Sequence, residues 1–169
     1  MTKHRDADGF NQTRMSRLLA DFAADLKRES GKSDSVEGLY ELLKDPVSHQ
    51  KALSAPLRRL ALVYLTEFKT SNRPYDPVAR FHFSNGARLE SIDPFANLRP
   101  YGIRDSFGLM VNYRYVLDEL EENHERFVRD GEMRVSPDLE REQRIAASQW
   151  YGINDKKKAG STQAVAALS

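Results

Sequence analysis

Apolar residues recur every three or four positions through several stretches of this chain, and polar breaks between them mark the elements. Met15, Leu18, Leu19, Phe22, Ala23 and Leu26 share one helical stripe with charges on the opposite face. The first nine residues of the chain are polar and predict a loose end. The stripe fades at Arg28-Glu29-Ser30-Gly31-Lys32, which reads as a linker. Ser35 suits the N-cap of a second short helix carrying Val36, Leu39, Leu42 and Leu43, with Pro46 beyond its end. Leu57, Leu60, Ala61, Tyr64, Leu65 and Phe68 predict a third helix with Pro56 in its first turn, followed by a loop over 70–76.

Asp76-Pro77 is a helix opening, an Asp cap followed by Pro in the first turn. Asn85-Gly86 fits a left-handed helix end, although Asn-Gly is also a strong hairpin signal. The preferred pattern is a short helix, a tight turn and a strand over Ala87 to Ile92. A loop with Pro94 and Pro100 then leads to a long helix from about Arg104, with Leu109, Met110, Tyr113, Val116, Leu117 and Leu120 as its buried stripe. That helix continues or restarts through Phe127 and stops near Gly131. Pro137 opens a last helix ending near Trp150-Tyr151-Gly152, and the lysine-rich tail beyond predicts disorder.

Composition narrows the function classes. With 169 residues, 26 Lys+Arg and 25 Asp+Glu, the net charge of +1 offers no electrostatic case for nucleic acid. No apolar run is long enough for a membrane span and the first ten residues hold no signal-peptide core, so a cytoplasmic protein is the expectation. Zero cysteines exclude a thiol nucleophile and a thiolate metal site. His4, His49, His82 and His124 form no close pair, and His124-Glu125 lacks a second zinc-ligand histidine, so no metal is expected. No phosphate-binding glycine loop is present, and Ser106 lies outside any nucleophile elbow.

His82, between Phe81 and Phe83, fits a packed structural imidazole as well as a proton donor. Asn112 is the anomaly of the predicted long helix, where an amide is disfavoured unless it has work to do. His124 reads as part of a solvated face among Glu121, Glu122 and Glu125.

Two blocks go further. Asp76 through Ala87 meets every fixed position of D/N-P-V-A-x-F-H-x-x-N-G-A, and Gly108 through Tyr115 meets G-L-M-x-N-Y-x-Y, in order and without a gap in spacing. Both, with "APLRRLALVYL" at 55–65, resemble the C-terminal signature of the malonyl-CoA decarboxylase family, over about residues 36 to 131. The resemblance implies an α+β, acetyltransferase-like (GNAT-like) catalytic domain, here partial and mostly helical with a few short strands. It implies conversion of malonyl-CoA to acetyl-CoA and carbon dioxide without a cofactor, a place in fatty acid metabolism, and oligomeric assembly. The family's proposed proton donor carries over to His82, and the second tyrosine of N-Y-x-Y to Tyr115 as a site-lining residue. Asn85 and Asn112 join Tyr115 as expected substrate-binding residues, with the turn-holding role of Asn85 equally open. Phe81 and Phe83 are the expected apolar wall.

The chain also departs from the family pattern. The family's Ser-Pro-x-Pro-Gly-Phe segment has its end at Gly9-Phe10, but its serine position falls on Arg5; Pro94 and Arg99 replace an aromatic and a serine between the two blocks. These departures leave three readings: a decarboxylase-like carboxy-lyase that is incomplete as an isolated chain, a non-catalytic interaction module, or a truncated remnant. The partners expected are malonyl-CoA or another acyl-CoA, together with a homo-oligomer or a complementary decarboxylase chain; neither nucleic acid nor membrane is expected. The domain expectation is an N-terminal helix and linker over 1–34, a decarboxylase-like segment over 35–152, and a disordered tail over 153–169.

Overall fold

The structure, a computed structural model, describes residues 3–31 and 35–149. Over the described residues the chain is mostly helical with two small antiparallel sheets. Helix α1 spans Lys3–Ser30, α2 Val36–Leu42 and α3 Pro46–Glu67; strands β1 (Lys69–Thr70) and β2 (Arg73–Pro74) form a miniature hairpin. There follow α4 (Pro77–Ser84), β3 (Arg88–Asp93), α5 (Pro100–Ser106), β4 (Met110–Arg114), a single 3₁₀ turn at Leu117–Glu119, α6 (Leu120–Asp130) and α7 (Pro137–Gln149).

Helix α3 is the spine. One side packs Leu53, Leu57 and Leu60 against Leu18, Phe22 and Leu26 of α1 and Leu39 of α2. The other places Ala61, Leu62 and Leu65 against Ala79 and Phe83 of α4, Leu89 and Ile92 of β3, Phe127 of α6 and Leu139 of α7. Burying such side chains is worth about 1.5–3 kcal/mol each, so the helix that serves both clusters holds the molecule together. Charge crosses the same junction. Asp25 of α1 is fully buried and accepts two hydrogen bonds from the Arg59 guanidinium of α3, at 2.8 and 2.7 Å, while Arg59 Nε donates to Glu142 of α7 at 3.1 Å.

Several expectations change. Helical backbone begins at Lys3, so the polar first residues extend α1 rather than forming a loose end. Pro56 is not in a first turn: α3 opens ten residues earlier at Pro46, capped by Asp45, and Pro56 is buried within it. The expected loop over 70–76 carries the end of β1 and the whole of β2, turned through Ser71 and Asn72 with positive φ. The largest correction concerns 104–120. The expected long helix is α5, then strand β4, then the 3₁₀ turn. Phe107 (φ 53°) and Gly108 (φ 78°) both adopt the left-handed conformation, which ends α5. Beyond them Leu109, Val111 and Tyr113 alternate with Met110, Asn112 and Arg114, and β3 supplies the hydrogen-bonding partner that converts the alternation into a strand. The expected strand over Ala87 to Ile92 is β3. The expected helix end near Trp150 and the tail lie outside the described residues.

Candidate functional site

Helix α4 presents the site. Asp76 caps it by accepting from Ala79 N at 2.8 Å, and Pro77 occupies the first turn. Ala79 and Phe83, one turn apart, are buried and anchor the helix to the core. Val78 and Phe81 are exposed, and His82 sits on the boundary between the two faces. The last turn is held from three directions. Asn85 Nδ2 donates to Phe81 O at 2.7 Å; His124 of α6 donates from Nδ1 to Ser84 O at 2.7 Å; Asn123 of α6, buried, donates from Nδ2 to Gly86 O at 3.1 Å. Gly86 has φ 78°, and a Cβ there would lie 2.2 Å from Leu120 O. The Asn-Gly pair therefore closes a helix rather than a hairpin, and lets α6 abut it.

Strand β4 delivers two tyrosines from the same face, because residues two apart in extended backbone point the same way. Tyr115, just beyond the strand end, places its Oη 2.9 Å from His82 Nδ1. Tyr113 lays its ring against the imidazole, centroids 4.2 Å apart and planes 11° apart, while Phe81 meets it edge-on at 5.3 Å and 80°. Tyr113 is itself braced edge-on by buried Phe83, at 5.7 Å and 88°. Burial pushes the Tyr113 phenol well above its ordinary pKa, and the nearby Asp76 carboxylate adds to the effect, so this ring meets His82 as a neutral group. Among the described residues Nδ1 is the one nitrogen of the His82 ring with a hydrogen-bond partner.

The expected site residues are thus divided. His82 and Tyr115 come together. Asn85 lies beside them but its amide is spent on the end of α4. Asn112 is on the reverse face of the ribbon, donating to Asp93 Oδ2 at 2.6 Å and Ser91 Oγ at 3.1 Å. Of the expected apolar wall, Phe81 touches the imidazole, but Phe83 points into the core; on a helix, adjacent residues diverge by about 100° and do not flank a third in a line. Tyr113 takes that place, which a helical reading of its segment does not reveal. The alternation in Asn112-Tyr113-Arg114-Tyr115 was the signal that would have found it. His124, expected on a solvated face, is exposed yet hydrogen-bonded to α4.

Two clefts lie away from the imidazole. One of about 440 Å³ is lined by Leu18, Tyr64, Leu65, Asp76, Phe107 and Val111 among others; one of about 400 Å³ is lined by Arg58, Glu90, Asp93, Arg141 and Glu142 among others. His82 lines neither, and its half-buried ring is not sealed in the core. Of the two departures between the motifs, Arg99 donates to Tyr101 Oη at 3.1 Å, and Pro94 precedes Phe95, which has φ 63°. The structure at Arg5 is α1 backbone. Among the described residues there is no cluster of three or more groups suited to a metal, and no helix is long and apolar enough to cross a membrane.

Comparison with known proteins matches residues 13–153 to the family model described as the malonyl-CoA decarboxylase C-terminal domain. The mitochondrial malonyl-CoA decarboxylase of Anser anser anser is 40% identical over 86 residues, covering 51% of this chain and 17% of that protein. Its counterpart in Rattus norvegicus is 37% identical over 89 residues, covering 53% and 18%. Among solved structures, malonyl-CoA decarboxylase from Rhodopseudomonas palustris superposes with a TM-score of 0.57 at 36% identity, over 72% of this chain and 30% of that one. The enzyme from Agrobacterium vitis gives 0.55 at 40%, over 64% and 29%. The chain spans less than a fifth of the length of these curated relatives and under a third of these solved ones.

Proposed function

This chain belongs to the malonyl-CoA decarboxylase C-terminal domain family, and from that premise we propose that it carries the proton-donating half of a decarboxylase site acting on malonyl-CoA, with His82 as the acid and Tyr115 as its hydrogen-bonding partner. The observation that carries the reading is the 2.9 Å contact between Tyr115 Oη and His82 Nδ1, which engages one ring nitrogen and leaves Nε2 for substrate.

The chemistry follows from that arrangement. The bond between C2 and the malonyl carboxylate breaks, its electron pair moves into the thioester as an enolate, and carbon dioxide departs. C2 then takes a proton from Nε2 of the imidazolium, and water restores that proton. The thioester is its own electron sink, so the reaction needs no cofactor. Tyr115 accepts from Nδ1–H of the imidazolium and keeps the opposite nitrogen available. Asn85 acts by holding the end of α4. On this reading Asn112 acts through the polar cluster on the reverse face of the ribbon, where it donates to Asp93 and Ser91.

The same reading takes β3 and β4 as part of an acetyltransferase-like sheet and places the protein in fatty acid metabolism in the cytoplasm, whereas the curated animal relatives are named as mitochondrial. It assigns turnover to an assembly in which the remainder of the family's length is present, in a longer polypeptide, a homo-oligomer or a complementary chain. A second reading, a non-catalytic module that pairs with a decarboxylase, draws on the exposed apolar side chains Phe81, edge-on to His82, and Leu117, 62% and 83% exposed.

Carbon dioxide release from malonyl-CoA, measured with the remaining part of a family member supplied in trans, separates the two readings. The proposal expects turnover that falls at least about 100-fold in His82→Ala and about 10-fold in Tyr115→Phe. Full activity in His82→Ala would overturn it. Tight association without turnover supports the module instead.

A further inference from the structure

A hydrogen bond to Tyr115 fixes the position of one ring nitrogen of His82 but leaves the imidazole free to rock about that contact. Something else must set the plane of the ring, and the stacked ring of Tyr113, at 4.2 Å and 11°, has the geometry to do so. We propose that Tyr113 is a positioning residue: the face of its ring holds the His82 imidazole in a single plane and a single tautomer, so that Tyr115 retains Nδ1 and Nε2 meets the substrate.

Tyr113 is better placed than the other neighbours to act as a platform. Its backbone is paired with Leu89 across the ribbon, whereas Tyr115 lies beyond the strand end and is 44% exposed. Its ring is backed by buried Phe83. Phe81, on an exposed helix face, meets the imidazole only by an edge. An aromatic face also attracts a cation, so the hold strengthens when the imidazole is protonated, the state in which it acts as an acid. Substrate need not touch Tyr113 for any of this.

The kinetic consequence rests on the decarboxylase reading; the spectroscopic one does not. Imidazole ¹⁵N resonances of His82, assigned by loss in His82→Ala, are expected in the wild-type chain as a well-separated pair from one tautomer. Tyr113→Phe, which keeps the ring, should preserve them. Tyr113→Met, which roughly keeps the volume without a π face, should draw them toward averaged values. In the assembled enzyme Tyr113→Met should lower kcat about 10-fold or more while KM stays within about twofold, with Tyr113→Phe close to wild type. Separated resonances and full kcat in Tyr113→Met would overturn the proposal. So would averaged resonances in Tyr113→Phe, which would transfer the role from the ring to the hydroxyl. Should decarboxylation itself fail to appear, the ¹⁵N spectra still decide whether Tyr113 holds the imidazole.

Discussion

Gly86 shows how narrowly the site tolerates change. Its left-handed backbone and the approach of Leu120 O to 2.2 Å from any added Cβ leave no relief, since the obstacle is backbone rather than a side chain that can swing away. Gly86→Ala is expected to cost about 3 kcal/mol in urea denaturation. It should also push α6 away from α4, breaking the Asn123 and His124 hydrogen bonds to Gly86 and Ser84 that hold the last turn. His82 stands in that turn. Much of what fixes its position comes from groups that hold the helix end rather than the imidazole itself.

At the scale of elements, the site is a meeting between a short helix and a two-stranded ribbon. An isolated helix of eight residues is unstable in water, so α4 exists because it is capped and packed. Its cap is a single carboxylate, Asp76, donated to by Ala79 N. Asp76→Ala should lower the unfolding free energy by about 1 kcal/mol, whereas Asp76→Asn, which can still accept the hydrogen bond, should retain most of it. Thermal melts of the two variants compared with wild type check this. On the other side, β3 and β4 place Tyr113 toward α4 and Asn112 away from it. A register slip of one residue would exchange them.

Across the whole molecule, the Asp25–Arg59–Glu142 network ties α1, α3 and α7 at the junction of the two apolar clusters. Truncating Arg59 removes the Nη1 group that donates to both oxygens of the buried Asp25 carboxylate, leaving Arg28 as its partner. Arg59→Ala is expected to cost about 3–5 kcal/mol, measured by urea denaturation, and replacing Asp25 and Arg59 together by apolar residues should recover much of the loss. A chain held through one central helix should lose both clusters in a single transition.

How much of this was legible beforehand depended on whether a local rule sufficed. The stripe of α1 core residues, the Ser35 cap, the Asp76-Pro77 opening, the Asn85-Gly86 helix end and the strand after it could all be read, because each rests on groups within one turn of each other. So could the paired motifs that bring His82 and Tyr115 into view as candidates, by likeness to a known family. The segment from 104 to 120 could not, because its apolar residues satisfy both periods over so short a span. Only the hydrogen-bonding edge of β3, distant in sequence, made part of it a strand. That single tertiary choice decided which way Tyr113 and Asn112 face, and therefore which of them stands against the imidazole.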